Sequence, residues 1–285
     1  MQLKTILNKF KQSNPIIVIG DPIRDRYIFT EAERISPEAP VLILKKIKVE
    51  DREGGALNVC NNIQDLKGKV VFLCQKAYSL KTRIIASNQQ LLRIDEDYIV
   101  KLSKTEANQI LSDIKWMYQN TKSRIIILSD YAKGNISKEL FMKIINLSKK
   151  YMGLKIIIDP NIKHKSWYKS LKGLKNIIMV PNLKEYNAGC KGSEILVLTK
   201  GENGMEIIIA NRSKYLIPAT KLQVSDVTGA GDTVVAVLGL CLNIGLNLNK
   251  STQIANKAAS IVVSKFGTST IKPKELKNLI KAGYL

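Results

Sequence analysis

Residues 226–242 read DVTGAGDTVVAVLGLCL, a glycine-rich turn that runs straight into an apolar helical stretch. Gly229 and Gly231 flank Ala230 where the helix begins. The first amides of a helix lack intrahelical acceptors and lie at the positive end of its dipole, so this junction is suited to an anion. Glycine lets a phosphate approach the backbone with no Cβ in the way. Asp232 falls in the first turn, where a carboxylate can take the proton of an attacking hydroxyl. The amides of Gly229, Ala230 and Gly231 would then stabilise charge on a transferred phosphoryl group. A turn closed by a helix-capping aspartate accounts for the same letters equally well. The Walker A pattern G-x-x-x-x-G-K-[ST] is absent, which argues against a P-loop enzyme.

Upstream of this turn, short apolar runs recur. Ile16–Ile19, Val70–Leu73, Ile125–Leu128, Leu154–Ile158, Ile177–Val180, Ile195–Leu198 and Glu206–Ala210 are rich in β-branched residues and read as strands buried on both faces. Helical patterns lie between several of them. Residues 103–119 open on the capping box Ser103-x-x-Glu106, and residues 137–150 open on Ser137 as N-cap. The alternation predicts an α/β fold with a mostly parallel sheet between helical layers. Residues 26–50 and 82–96 break the pattern: they read as strands with no helix following, a small β lid. With no repeat and no long linker, residues 1–285 read as a single domain.

The chain carries 45 Lys and Arg against 24 Asp and Glu, a net charge of +21. The excess is spread along the sequence among many Ile and Asn, as an AT-rich coding sequence produces, with no dense basic run or basic–aromatic interleaving. It reads as compositional drift ahead of a nucleic-acid or membrane-binding surface, and it can draw in anionic substrates. No run reaches the roughly 18–20 apolar residues of a membrane span. The first residues, MQLKTILNKFKQSNP, read as an amphipathic helix and not a signal peptide. Four scattered cysteines without a C-x-x-C pair suit reduced thiols in a cytoplasmic protein. The only histidine, His164, stands in a Lys-rich stretch and reads as a surface residue.

D-x-x-G-A-G-D over Asp226–Asp232 resembles the hallmark of the ribokinase-like PfkB carbohydrate kinases. Further blocks follow in the order of that family. Gly20-Asp21-x-x-x-Asp25-Arg26-Tyr27 and Arg34-Ile35-Ser36-Pro37-Glu38-Ala39-Pro40 resemble the N-terminal block of the heptose-7-phosphate kinases of lipopolysaccharide core synthesis. Gly54-Gly55-Ala56-x-Asn58-Val59, the stretch Arg83–Ile94 with Asn88-Gln89-Gln90, and Ser129-Asp130-Tyr131-x-Lys133-Gly134 come next. Asp159-Pro160, Pro181-Asn182-Leu183-x-Glu185, Thr199-Lys200-Gly201-Glu202-x-Gly204-Met205 and Lys265-x-Gly267-Thr268-Ser269-Thr270 complete the set.

The resemblance implies a three-layer αβα sandwich with a β lid, ATP and Mg²⁺ as cofactors, a sugar phosphate as acceptor and a homodimer formed through the lid. It implies Asp232 as the catalytic base, with Asp25 and Asn58 on sugar hydroxyls beside Gly54 and Gly55. A carboxylate and an amide together accept from and donate to hydroxyls. Lys133 and Arg83 or Arg93 are candidates for the substrate phosphate. Asn182 and Glu185 resemble the motif that supports Mg²⁺, Glu185 acting through water. Thr199, Lys200, Gly201, Glu202 and Gly204 border the nucleotide, and Asn256 resembles a residue near the adenine or else faces solvent. One departure is visible. Only Gln75–Lys81 separates Cys74 from Thr82, where the family carries a further helix–strand unit of about 30 residues. Other readings remain beside the heptose kinase: a kinase for another sugar, a sugar- or nucleotide-binding pseudokinase, or, from charge alone, a nucleic-acid binder.

Overall fold

A computed structural model describes residues 3–74, 78–87, 89–99, 101–220 and 222–281. Asn88 and Gln75–Ala77 lie outside them.

Six contiguous parallel strands make up most of an eight-stranded sheet: β1 (Ile16–Gly20), β4 (Val70–Leu73), β7 (Ile125–Ser129), β8 (Lys155–Asp159), β9 (Ile177–Met179) and β10 (Ile195–Thr199). Two antiparallel strands, β11 (Met205–Ile209) and β12 (Arg212–Ile217), extend one edge, giving the order β12-β11-β10-β9-β8-β7-β1-β4. Alternation explains why the strands are apolar throughout. Ile16, Val18, Ile125 and Ile127 pack to one face with α1 (Leu3–Gln12), α2 (Ala56–Asp65), α6 (Ala230–Asn243), α7 (Leu248–Val262) and α8 (Pro273–Lys281). Ile17, Ile19, Ile126 and Leu128 pack to the other with α3 (Lys104–Asn120) and α4 (Lys138–Lys150). Side chains two apart share a face, so both faces must be apolar. α6 is buried continuously from Asp232 to Leu242, as expected of a helix hydrophobic all round.

The predicted strands are all present, and so is the N-terminal helix. The capping box predicted at Ser103 and Glu106 forms, and Ser137 caps α4. β12 goes beyond the sequence expectation, because Arg212–Leu216 is exposed and carries no apolar run. The lid is a four-stranded sheet, β3-β2-β5-β6, made of β2 (Pro22–Ile35), β3 (Leu42–Gly55), β5 (Ser79–Ala86) and β6 (Gln89–Glu96). The first pair runs from Pro22 to Gly55 and the second starts at Ser79, beyond the predicted 26–50 and 82–96 segments; Arg24, Asp25, Glu53, Gly54 and Lys81 interrupt the apolar pattern at those ends. Among the described residues β4 pairs only with β1 and forms the sheet edge, just before the place of the shortening. No helix among the described residues is long and apolar enough to cross a membrane.

Candidate active site

β1 and β7 lie side by side, and Asp21, Asp130 and Tyr131 follow from their carboxyl ends, where open α/β sheets bind ligands. Asp21 is fully buried. Its carboxylate accepts the amides of Tyr131 (2.9 Å), Lys133 (3.0 Å) and Asn135 (3.0 Å), and the Asn135 side-chain amide (3.2 Å). This clamps the turn after β7 and aims Tyr131 at the start of α6. The Tyr131 hydroxyl donates to Asp232 Oδ1 at 2.7 Å. From α2, Asn58 Nδ2 donates to Asp232 Oδ2 at 2.9 Å.

Asp232 thus has two neutral donors and, among the described residues, no ion-pair partner. Burial, which penalises the carboxylate, outweighs the opposing effect of the two donors and pushes its pKa up to about 6. Burial and the Asp232 charge push the Tyr131 phenol well above its ordinary value, so it stays a proton donor. The result is a carboxylate that is ionised at neutral pH yet more basic than an exposed one.

Gly229 caps α6 in the left-handed region, φ 80°. A Cβ there would lie 2.7 Å from Asn58 Nδ2, so glycine is required by both backbone and contact. The expected cradle is altered in one detail: the Ala230 amide bonds to Val227 O at 3.3 Å. The amides of Gly229, Gly231 and Asp232 have no acceptor among the described residues. Asp226 fixes the turn, taking the Thr228 amide (2.9 Å) and hydroxyl (2.7 Å) on one oxygen and the Gly267 amide (3.0 Å) on the other.

Beside this turn opens a cavity of about 500 Å³, walled by Thr199, Gly201, Glu202 and Gly204 on one side and by Val227, Ala230, Gly231 and Asn256 on the other. Asn256 is buried and donates to Pro218 O at 2.8 Å, so it does not face solvent. Lys200, expected at the nucleotide, turns instead to Glu206 at 3.2 Å and is absent from the cavity wall. Asn182 and Glu185 cap the short helix α5 (Leu183–Asn187) reciprocally, each side chain on the other's amide at 2.9 Å. Asp159, at the end of β8, is raised well above an ordinary carboxyl by burial and by the charges of Glu185, Asp232 and Asp130. These carboxylates make the region receptive to a cation. Yet no three His, Cys, Asp or Glu among the described residues stand close enough to hold a metal. A donor set of this kind fits Mg²⁺ carried largely on phosphate oxygens and water, and does not fit a protein cage.

On the lid side, Asp25 is buried between Arg83 (2.6 Å) and the Thr268 hydroxyl (2.6 Å). Thr268 also donates its amide to the Tyr27 hydroxyl at 2.8 Å, latching the lid to the main domain. A Cβ on Gly54 would lie 2.2 Å from Asp25 Oδ2. Gly55 starts α2 at φ 59°. Several residues expected at the acceptor have partners of their own here. Arg83, Arg93 and Lys133, expected at a substrate phosphate, pair instead with Asp25, Asp95 and Asp97 respectively. Asn58, expected on a sugar hydroxyl, gives its amide to Asp232. His164 is half-buried, stacked on Trp167 at 3.7 Å, with Nδ1 2.6 Å from Asp130 Oδ2. Asp21, Tyr131 and Thr268 stand in the quoted motifs, where the sequence assigns them no role; only their place at strand ends and beside the Asp226 turn signals one.

A buried basic carboxylate in the first turn of a helix whose first amides are free, together with a β lid, defines a ribokinase-like phosphotransferase architecture. Solved structures share that fold. The chain superposes on ribokinase of Thermotoga maritima with TM-score 0.68, 18% identity and coverage of 94% and 99% of the two chains. It superposes on Arabidopsis thaliana ribokinase, solved with ribose and ATP, with TM-score 0.66, 17% identity and 94% and 99% coverage. Residues 179–275 match the model of the pfkB family carbohydrate kinases. The bifunctional protein HldE of Geobacter metallireducens is 32% identical over 327 residues, 97% of this chain and 65% of that one. The chain belongs to the pfkB family of carbohydrate kinases. It spans just under two thirds of that relative's length, and the matched length exceeds its own 285 residues, so the relative carries residues without a counterpart here.

Proposed function

We propose that this chain is an ATP-dependent kinase that phosphorylates the anomeric hydroxyl of D-glycero-D-manno-heptose 7-phosphate to the 1,7-bisphosphate. The observation that carries the reading is Asp232, buried, raised to about 6, and set at the same helix start as the amides of Gly229 and Gly231, which have no acceptor among the described residues. The acceptor hydroxyl gives its proton to Asp232, its oxygen bonds to the γ-phosphorus, and the bond to the ADP oxygen breaks. The free amides hold the charge on the transferred group. Mg²⁺, when bound with ATP, supplies charge neutralisation on the phosphate oxygens. The latch between Thr268, Asp25 and Tyr27 supports a lid that closes over the acceptor and excludes water, whose attack would waste ATP.

The heptose is supported by the resemblance of Arg34–Pro40 to heptose kinases, and its product would feed lipopolysaccharide core synthesis in the cytoplasm. Exposed Ile35, Val41, Leu42 and Ile47 on the lid support the expected homodimer. The test is ADP release from ATP and Mg²⁺ with the heptose 7-phosphate and with other sugar phosphates, for wild type and Asp232→Asn. Heptose-dependent release abolished by the substitution bears the reading out. Faster turnover of another sugar replaces the heptose. Absence of turnover with every sugar, in folded protein that binds ATP, would leave a binding protein whose shortened segment after Cys74 is the first suspect.

A further inference from the structure

Strand register identifies the side chains that share one face of the lid. Asp25 on β2 stands opposite Arg52 on β3 and Lys81 on β5; Lys81 stands opposite Asp95, and Arg83 opposite Arg93, on β6. Opposed residues share a face, as do residues two apart along a strand. That face therefore carries four cations, Arg52, Lys81, Arg83 and Arg93, around Asp25.

Three of the four are engaged. Arg52 donates to Phe266 O (2.7 Å) and Glu50 (3.1 Å), Arg83 to Asp25, and Arg93 to Asp95. Lys133, reaching in from the main domain, is held by Asp97. Lys81 is different: its ammonium has no hydrogen-bonded or ion-paired acceptor among the described residues. It lies 5.3 Å from the centre of the Tyr131 ring, the same ring whose hydroxyl holds Asp232. Burial draws it below the ordinary lysine value, against the pull of Asp25. A partly desolvated cation without an acceptor is unfavourable by itself, and an incoming anion relieves it.

We propose that Lys81 binds the phosphate of a phosphorylated acceptor sugar and selects such acceptors over free sugars. This rests on the kinase reading above. The reaction has two phosphates that an ammonium could meet. The γ-phosphate of ATP already has the free amides at the start of α6, whereas Lys81 projects from the lid strand paired with Asp25, on the acceptor side. Lysine, as a compact point charge, suits a phosphate that arrives in more than one orientation.

Calorimetry without ATP tests this, using D-glycero-D-manno-heptose 7-phosphate and free heptose as probes for wild type, Lys81→Gln and Lys81→Arg. The expected result is a Kd for the phosphate at least ~10-fold weaker in Lys81→Gln, roughly one charge-assisted hydrogen bond, with the free-sugar Kd unchanged and most affinity restored by arginine. Equal weakening of both probes, or of neither, overturns the proposal. So does an unchanged Kd with kcat lowered alike for both acceptors, which assigns the ammonium to the γ-phosphate. Because binding needs no turnover, the two readings separate. A Lys81-dependent preference for the phosphate without ADP release keeps this inference and sinks the kinase. Turnover with no Lys81-dependent preference does the reverse, and wild type that binds neither probe overturns both.

Discussion

Replacing Asp232 by Asn should abolish turnover while making the protein more stable at neutral pH. The carboxyl is raised from 3.8 to about 6 by burial. A group whose folded pKa is raised holds its proton more tightly when folded, so ionising it costs stability as pH rises through the interval from 3.8 to about 6. A pKa raised by about two pH units corresponds to about 3 kcal/mol, fully present above pH 7 and under about 1 kcal/mol near pH 4. The asparagine does not recover all of it. Its oxygen can still accept from Tyr131, but its NH₂ then meets the Asn58 NH₂ that donates to Asp232 at 2.9 Å. That mismatch costs about 1 kcal/mol. The net expectation is stabilisation by about 2 kcal/mol at pH 8, shrinking to zero or slightly below near pH 4. Urea titrations of both proteins at the two pH values measure it, provided the slopes agree. A stability difference that does not change with pH would refute the reasoning, because the wild-type carboxyl would then not be ionising at a cost in the folded state.

Three further substitutions probe the supports around that carboxyl. Tyr131→Phe removes the 2.7 Å donor to Asp232, so the acidic limb of the kcat/KM profile, expected near pH 6, should move up by about one pH unit; an unmoved limb shows that the phenol does not touch the base in solution. Arg83→Met leaves Asp25 buried without its cation and should cost about 3–5 kcal/mol, read as a large drop in the urea midpoint; a loss under about 1 kcal/mol places Asp25 in water. Gly54→Ala drives a methyl to within 2.2 Å of Asp25 Oδ2 and should cost about 1–3 kcal/mol while raising the acceptor KM, with the ATP KM unchanged; equal effects on both KM values refute an acceptor-side role.

How much of this is legible in the sequence depends on the range of each interaction. The strands are readable because Ile16–Ile19 and Ile125–Leu128 are apolar on every residue, which only burial on both faces explains. Helix starts at Ser103 and Ser137 are readable because a capping side chain reaches only to the third residue along. The turn at Asp226–Asp232 is readable because its chemistry is contiguous. Charge partners are not. Arg83 meets Asp25 58 residues away, and Asn58 meets Asp232 across 174; no local pattern distinguishes an engaged cation from a free one among 45. Motif position therefore points to three engaged cations for the phosphate and gives no sign of Lys81, which has no acceptor among the described residues. β12 is hidden for the opposite reason, because an exposed strand carries little hydrophobic pattern; the lid boundaries are hidden because Arg24, Asp25, Glu53, Gly54 and Lys81 interrupt the apolar run.

The division of labour among the site's aspartates follows from what each one accepts. Asp21 takes four N–H donors and is spent on shaping the turn after β7. Asp226 takes three donors and ties the α6 turn to Gly267. Asp25 takes a guanidinium and a hydroxyl, which stabilise its charge and bind the lid. A carboxylate so occupied has its lone pairs committed to holding the fold. Asp232 differs from these three: it has two neutral donors, no ion-pair partner among the described residues and deep burial, and it is pushed up to about 6 against the pull of Lys81. Orientation comes from Tyr131 and Asn58, and basicity from burial without a positive partner. In a chain of net charge +21, several cations on and beside the lid are committed to acids of their own. Asp25, Asp95 and Asp97 hold Arg83, Arg93 and Lys133. Of the charges on the lid face, Asp25 pulls Asp232 upward and Lys81 pulls it downward, so neutralising Asp25 would remove an upward pull on the base as well as the acid that holds Arg83.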